Sequence, residues 1–121
     1  MAVTVTRKGN EIAVGISETS ASSSTESTIT LGVQKFRVLR QLCQVTSGTA
    51  ATVDPILART SGGSGINVLL ENDTAAATCD NSVIGGVACF SSDGVVYHKS
   101  VPNAGSDNAI SAEYAILVGW E

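Results

Sequence analysis

Alternating apolar and polar residues run through much of the chain and predict β-strands. The strictest stretch is residues 110–120, whose alternate positions are Ile110, Ala112, Tyr114, Ile116, Val118 and Trp120. Successive side chains of a strand point to opposite faces, so this pattern indicates a strand with one buried face. Residues 2–6 and 11–16 alternate in the same way around a turn-forming segment at 7–10. They predict an N-terminal β-hairpin.

Residues 36–59 contain two apolar-rich runs separated by Ser-Gly-Thr at 47–49. Glycine and hydroxyl residues favour turns, so we predict a long β-hairpin here. Pro55 has no N–H to donate, which makes the second run an edge strand or a bulged one. Residues 35–45 also carry apolar residues at helical spacing, and a helix remains an alternative for the first run.

Four further runs predict strands, at residues 28–33, 66–71, 83–90 and 95–99. Gly85-Gly86 interrupts the third of them, which indicates either two short strands or one strand with a bulge. Asp93-Gly94 is typical of a hairpin turn into the fourth. With about eight strands and polar connections, the chain is predicted to be all-β, an antiparallel two-sheet sandwich of jelly-roll or Greek-key type.

The segment at residues 17–28, SETSASSSTEST, has almost no apolar content. Such a composition is typical of a flexible loop or linker. We therefore expect residues 1–27 to form a hairpin arm with its Ser/Thr-rich linker, and residues 28–121 to form the β-sandwich domain.

Length and composition narrow the functional classes. The 121 residues suit one domain, and only 15% of them are charged while 43% are hydrophobic. A surface with so few charges favours contact with neighbouring proteins. The net charge is −4 and no basic cluster is present, which argues against nucleic-acid binding. Arg37 and Arg40 form the nearest approach to a basic patch, on opposite strand parities.

Membrane and secretion signals are not evident in the sequence. No apolar run reaches the length of about 20 residues that a membrane helix requires, and the N-terminal residues do not resemble a signal peptide. We expect no membrane partner and synthesis in a cytoplasm. Cys43 and Cys89 lie in apolar runs and are expected to be buried, reduced thiols, whereas Cys79 lies in a predicted polar loop.

Catalytic and ligand-binding signatures are weak. His98 is the single histidine and is predicted to be a surface strand residue. Aspartates at 73, 80, 93 and 107 lie in predicted loops, three of them beside asparagines, and turn formation explains them without a metal. The glycine-rich segment 60–65 lacks the Lys-Ser/Thr pair of a phosphate loop. We expect no catalytic residues, no cofactor and no metal, and hence a protein that is not an enzyme.

Three segments resemble small virion structural proteins of tailed bacteriophages, of the capsid decoration, head-fibre and minor capsid type. They are FRVLRQLCQVTSGTAATVDPIL, the Asp-Gly turn with VVYHKSVPNAGSDN, and the terminal ISAEYAILVGW. The resemblance covers most of residues 28–121. It implies a β-sandwich that assembles as a homotrimer on the exterior of a capsid, with the major capsid protein or another virion protein as partner.

These observations lead to a functional hypothesis. The protein is expected to be a non-enzymatic capsid decoration or accessory protein that stabilises the capsid by binding across neighbouring subunits. The alternative is a receptor- or glycan-binding module of a phage fibre, in which the aromatic faces of Trp120, Tyr97 and Tyr114 would stack on a sugar. Subunit contacts are assigned to Tyr114 and Trp120. Capsid attachment is assigned to the apolar side of the N-terminal hairpin, namely Val3, Val5, Ile12, Val14 and Ile16.

Overall fold

Strands make up nearly all of the regular structure in the computed structural model of the chain, which describes residues 2–22 and 24–119. These residues form nine strands and one 3-10 turn at Gly65–Asn67. In chain order the strands are β1 (Ala2–Lys8), β2 (Glu11–Ala21), β3 (Glu26–Thr30), β4 (Lys35–Ser47), β5 (Val53–Ala58), β6 (Val68–Glu71), β7 (Thr78–Phe90), β8 (Val95–Pro102) and β9 (Asn108–Val118). Across the two described ranges, no helix has the length and hydropathy needed to cross a membrane.

The strands build two antiparallel sheets. One has five strands in the order β1-β2-β9-β4-β7, and the other has four in the order β3-β8-β5-β6. From β2 onward, every connection except β5–β6 passes from one sheet to the other. This is the strand order of a jelly roll, with β1 added at one edge. The predicted all-β two-sheet sandwich and the N-terminal hairpin are therefore confirmed.

Alternation in β2 and β9 places one face of each strand in the core. The two strands are neighbours, with Ile12 opposite Ile116 and Val14 opposite Tyr114. All four of these side chains are 2% exposed. Phe36 and Val38 of β4 are fully buried beside them. The strict period-2 pattern at the end of the sequence thus marks a central strand of the five-stranded sheet.

The long hairpin predicted for residues 36–59 is wrong. β4 pairs with β7 and β9 in one sheet, whereas β5 pairs with β6 and β8 in the other. The turn residues at 47–49 do reverse the chain, but they carry it across the sandwich instead of into a neighbouring strand. This crossing lets each apolar run bury one face against the opposite sheet. The helical alternative for residues 35–45 is also excluded, because β4 spans them.

The flexible linker predicted for residues 17–28 is also wrong. β2 continues to Ala21 and β3 begins at Glu26, so the boundary proposed at residue 27 falls inside a strand. Thr has good β propensity, and polar residues such as Ser are accepted on a strand that has one solvated face, which composition alone does not reveal. Glu18, Ala21 and Ser27 are the inward-facing residues here and are 0–2% exposed. The hairpin is therefore integrated into the sandwich.

A bulge interrupts the pairing of β4 with β7. The register shifts between Val38 and Arg40, where residues 83–86 of β7, including Gly86, lie opposite the single residue Leu39. Gly86 has a φ of 80°, and a Cβ there would lie 2.9 Å from Cδ2 of Leu39. β7 is thus one bulged strand, one of the two forms anticipated. At the same place β4 has one extra residue opposite β9, between Val38 and Arg40. This returns Arg37 and Arg40 to the same outer face, which corrects their assignment to opposite parities.

The Asp93-Gly94 turn connects the two sheets and is not a hairpin. β7 and β8, which flank it, lie in different sheets. Asp93 Oδ1 accepts hydrogen bonds from Ser91 Oγ at 2.9 Å and from the Val95 N–H at 3.1 Å. These bonds lower the pKa of the Asp93 carboxyl. The turn places Val96, His98 and Ser100 of β8 on the inner face of the four-stranded sheet.

Candidate functional site

A shallow trough crosses the outer face of the five-stranded sheet. It consists of three adjoining depressions of about 370, 280 and 210 Å³. Small residues of β2 and β9 form its floor, and longer residues of β1 and β4 form its two sides. We define the trough by Thr4, Thr6, Lys8, Glu11, Ala13, Gly15, Leu39, Arg40, Leu42, Ser111, Glu113 and Ala115.

The register of the strands explains the trough. Ala13 lies opposite Ala115, and Gly15 lies opposite Glu113, so the middle of the sheet carries little side-chain volume. Thr4 and Leu42 flank the second pair from the adjoining strands. A sheet face of this composition is nearly flat and mostly uncharged. It suits contact with an extended segment or with another protein surface better than enclosure of a small molecule.

The charged residues of the trough are few and balanced in sign. Arg40 and Asp80 form two parallel hydrogen bonds, 2.9 Å from Nε to Oδ1 and 2.7 Å from Nη2 to Oδ2. The Arg40 guanidinium lowers the pKa of the Asp80 carboxyl. Both side chains are about half exposed, and such pairs add little to stability. Glu113 also lines the trough, and Lys8 and Glu11 lie at its end.

β1 forms one edge of the five-stranded sheet beside the trough. Within the described residues it pairs with β2 alone. In an antiparallel strand, every second residue directs its N–H and C=O groups toward the neighbouring strand, and the residues between them direct theirs away. A two-residue turn joins Lys8 to Glu11, so these two residues are hydrogen-bonded to each other, and Thr6 and Thr4 also bond to β2. The residues between them, Val3, Val5 and Arg7, therefore direct their main-chain N–H and C=O groups away from β2, toward the open edge of the sheet. We call this row the free edge of β1.

The residues assigned to capsid attachment are split by the structure. Ile12, Val14 and Ile16 are 2–4% exposed and belong to the core of the sandwich itself. Val3 is half-buried against that core, whereas Val5 is 38% exposed. The five-stranded sheet has one strand more than the sheet it covers, so the inner side of β1 is only partly covered. Of the five, Val3 and Val5 remain accessible for contact with another protein.

The two residues assigned to subunit contact have different outcomes. Tyr114 is 2% exposed and its ring points into the core, so its side chain offers almost no surface for contact with another subunit. Its inward parity follows from β9, whose alternate residues from Ile110 to Ile116 are all buried. Trp120 lies outside the described residues.

His98 is fully buried, which corrects its prediction as a surface residue. Its Nδ1 lies 2.7 Å from Oη of Tyr114, and its Nε2 lies 2.6 Å from Oγ of Ser100. Gln41 Nε2 donates to the same Tyr114 oxygen at 2.8 Å. The thiol of Cys43 is 3.6 Å from Oγ of Ser100. These five residues form the interior polar cluster.

The interior polar cluster joins the two sheets. Tyr114, Gln41 and Cys43 belong to the five-stranded sheet, and His98 and Ser100 belong to the four-stranded sheet. Because Gln41 donates to the Tyr114 hydroxyl, that hydroxyl donates in turn to Nδ1, which assigns the imidazole proton to Nε2. Burial lowers the pKa of His98 to about 4 and raises that of Tyr114. The cluster is therefore neutral at pH 7.

The interior polar cluster is closed to substrates in the folded sandwich. Ser100 and His98 are within the distance expected of a nucleophile and its base. Both are 0% exposed, however, and the depressions found on the surface are lined by other residues, apart from Tyr114 at the trough floor. A substrate therefore cannot reach the serine hydroxyl without opening the sandwich.

Glu18 is a buried carboxyl that the sequence pattern missed. It is 2% exposed and accepts a hydrogen bond from Ser27 Oγ at 3.1 Å, whereas Oε2 has no hydrogen-bond partner among the described residues. Burial raises the pKa of Glu18, and the bond from Ser27 partly opposes this. Position 18 shares the inward parity of Ile12 to Ile16, the one signal that could have identified it.

Replacing Glu18 by Gln is expected to stabilise the protein at pH 7. The pKa of Glu18 is higher in the folded state than its ordinary value of 4.5, so ionising this carboxyl lowers the free energy of unfolding. This loss of stability is fully present above the folded-state pKa and is absent below pH 4.5. Glu18→Gln should therefore melt at a higher temperature than the wild type at pH 7, with the gain disappearing toward pH 4. Ser17→Gln, at the exposed neighbouring position, is the control. A gain that does not change with pH would contradict this assignment.

The aspartates considered as cation ligands do not converge. Asp80 is paired with Arg40, and Asp93 is held by its own turn. No group of three or more His, Cys, Asp or Glu residues within ranges 2–22 and 24–119 has the arrangement of a metal site. Asn108, also considered, is fully buried, where its Oδ1 accepts from the Ala50 N–H at 3.0 Å and Nδ2 donates to the Ala21 and Ala104 carbonyls.

Among the solved structures that are weakly similar to this chain are two whose titles name a virus. The first is titled "Cyanophage Pam1 capsid asymmetric unit", with 12% identity, a TM-score of 0.46, and coverage of 96% of this chain and 86% of that one. The second is titled "nora virus structure", with 7% identity, a TM-score of 0.40, and coverage of 93% and 59%. No protein-family model and no curated protein matches the chain.

Both titles name a virus, and neither names a decoration protein. The proteins that the sequence resembles are also viral. At these identities and TM-scores, the likenesses establish neither a family nor a function for this chain.

Proposed function

We propose that the protein is a non-enzymatic structural component of a virion, a decoration or accessory protein that binds across neighbouring capsid subunits. The observation that carries the proposal is the free edge of β1 beside the trough. An unpaired strand edge offers a row of main-chain donors and acceptors, and the trough offers an adjoining neutral surface. Together they suit an extended segment of a partner protein.

Strand addition explains why these features occur together. A partner segment paired with β1 would extend the five-stranded sheet, with main-chain hydrogen bonds providing much of the affinity. Val3 and Val5 would contact alternate side chains of that segment on the inner side. Thr4 and Thr6 lie on the outer side with the trough. The segment would therefore be recognised on both faces.

Binding of this kind stabilises a capsid by mass action. A protein that binds the assembled shell and not separate subunits lowers the free energy of the assembled state. In this proposal the partner is the major capsid protein or another virion protein, and the site of action is the capsid exterior. A homotrimer would present three copies of the β1 edge to surrounding subunits and so increase the total affinity.

Two features support this role over catalysis or glycan binding. The interior polar cluster, which has the residue types of a hydrolytic site, is enclosed between the sheets. The lining of the trough includes one aromatic residue, Tyr114, whose ring is buried. A sugar-binding surface normally uses an exposed aromatic face.

Changing Val5 to Lys is expected to abolish attachment while preserving the fold. A lysine on an edge strand opposes pairing with another strand, and Val5 is exposed enough for a long side chain to reach solvent. We expect binding to capsids assembled without the protein to weaken by about tenfold or more, the equivalent of about 1.4 kcal/mol. The melting temperature should change by only a few degrees, since surface changes of this kind are mild.

Val83→Lys is the matched control for this experiment. Val83 is 36% exposed and lies in β7, at the opposite edge of the same sheet. It should bind capsids as the wild type does. Equal weakening by both variants, or full binding by Val5→Lys, would contradict attachment through β1.

A further inference from the structure

Two cysteines lie directly opposite each other on adjacent strands. Cys43 of β4 is the cross-strand partner of Cys79 in β7. Both side chains point into the sandwich, with 0% and 2% exposure, and both are free thiols in this structure. The sequence prediction placed Cys79 in a polar loop, which the structure corrects. Residues 36 apart in sequence are thus brought into register by the β4–β7 ladder.

The ladder geometry brings the two cysteines within disulfide range. The Val45 N–H donates to the Ala77 carbonyl at 2.9 Å, which marks that pair as hydrogen-bonded. By alternation Cys43–Cys79, two residues further along, is also a hydrogen-bonded pair, for which the Cα atoms are about 5.5 Å apart. Disulfides have Cα separations of about 4.4–6.8 Å. In a hydrogen-bonded pair the directly opposite Cβ atoms lie near the wide end of their range of about 4.5–5.5 Å, beyond the ~3.8 Å of a relaxed disulfide. The two strands must therefore shift toward each other when the bond forms.

We propose that Cys43 and Cys79 form a site of reversible oxidation, closing to a cross-strand disulfide when the protein meets a small-molecule disulfide. One cysteine thiolate attacks a sulfur of the oxidant and releases one thiol. The second cysteine then attacks the mixed disulfide and releases the other. The two cysteines lose two electrons and two protons, and the oxidant is reduced to two thiols, which carry those protons.

Burial makes this reaction slow in the folded protein. Desolvation raises the pKa of Cys43 to about 12, and the pKa of Cys79 is raised as well, so little thiolate is present at neutral pH. β7 is the edge strand of its sheet, and Cys79 is its second residue. Local opening at this end of β7 exposes both sulfurs without unfolding the rest of the sandwich. The reaction rate then follows the opening of β7.

The cross-link has a structural consequence that does not depend on a capsid partner. It ties an edge strand to its neighbour and closes a loop that contains β5 and β6 of the opposite sheet. A closed loop restricts the unfolded chain and favours the folded state. Because the Cβ separation of a hydrogen-bonded pair is wider than a disulfide prefers, the bond is strained and easily reduced. The protein would carry thiols in reducing surroundings and gain the cross-link in oxidising ones.

The test is incubation of the folded protein with oxidised glutathione, followed by intact-mass measurement and mapping of linked peptides. We expect a product that lacks two hydrogens, with a peptide link between Cys43 and Cys79. Its melting temperature should rise by about 5 °C, less than an unstrained loop of this length would give. Dithiothreitol should reverse both changes.

Cys89 provides the internal control, since it is equally buried but lies opposite Phe36. Cys89→Ala should still form the link, whereas Cys43→Ala and Cys79→Ala should not. If these two variants do not fold, peptide mapping of the wild type decides the result. A link that includes Cys89, or a wild type that stays reduced while the amide protons of β7 exchange with solvent, would overturn the proposal.

Discussion

Removal of residues 1–27 is expected to unfold the protein. The deletion takes away β1, β2 and the first residues of β3, and leaves β9 without one of its two neighbours. Ile12, Val14 and Ile16 are each 2–4% exposed, and burial of such a side chain contributes about 1.5–3 kcal/mol. Their loss alone removes about 5–9 kcal/mol, close to the whole stability of a typical domain, about 5–15 kcal/mol.

Circular dichroism and calorimetry measure this outcome directly. A shorter deletion of residues 2–8 is the matched control, because it removes only β1 and leaves the jelly-roll strands intact. We expect the short deletion to melt cooperatively at a somewhat lower temperature, and to lose attachment if β1 binds the capsid. A cooperative transition near the wild-type temperature for the longer deletion would show that residues 1–27 are a separate arm after all.

Acidification is expected to destabilise the protein through His98. Its folded-state pKa is lowered by burial from 6.5 to about 4, so the unfolded chain binds a proton before the native state does. Stability is unaffected above pH 6.5 and is lost as the pH falls toward 4. The loss is about 1.4 kcal/mol for each pH unit in that window, or about 3 kcal/mol in total.

The measurement is the free energy of unfolding against pH for the wild type and His98→Gln. The carboxyl groups, including Glu18 with its opposite dependence, titrate in both proteins and cancel in the difference. We expect this difference to change by about 3 kcal/mol between pH 6.5 and 4. A difference independent of pH would refute the assignment. If the variant does not fold, NMR titration of the single imidazole in the wild type gives its pKa directly.

The fold class could be predicted because alternation is local. β9 and the β1–β2 hairpin needed only period-2 patterning and a short turn, and both are confirmed. Strand partners could not be predicted, because a turn such as 47–49 has the same residues whether the next strand joins the same sheet or the other one. The two-sheet sandwich was therefore predicted correctly, but the connections that cross from one sheet to the other were not.

The buried polar residues were missed for a related reason. His98, Glu18 and Ser27 look solvent-exposed by residue type, and only their parity relative to buried neighbours marks them as inward-facing. Their burial is tolerated because partners from the opposite sheet or a neighbouring strand satisfy most of their polar atoms. Sequence alone does not supply those partners, since they lie on strands whose pairing was unknown.

The central position of β9 affects how the protein folds as it is synthesised. β9 joins β2 to β4, so the five-stranded sheet is incomplete until residues 108–118 have left the ribosome. Until then the edges of β2 and β4 that β9 will occupy are unpaired, and their apolar faces are exposed. Folding of long-range pairings is slow, and such edges are prone to aggregate. We therefore expect newly made chains to depend on chaperones more than their small size would suggest.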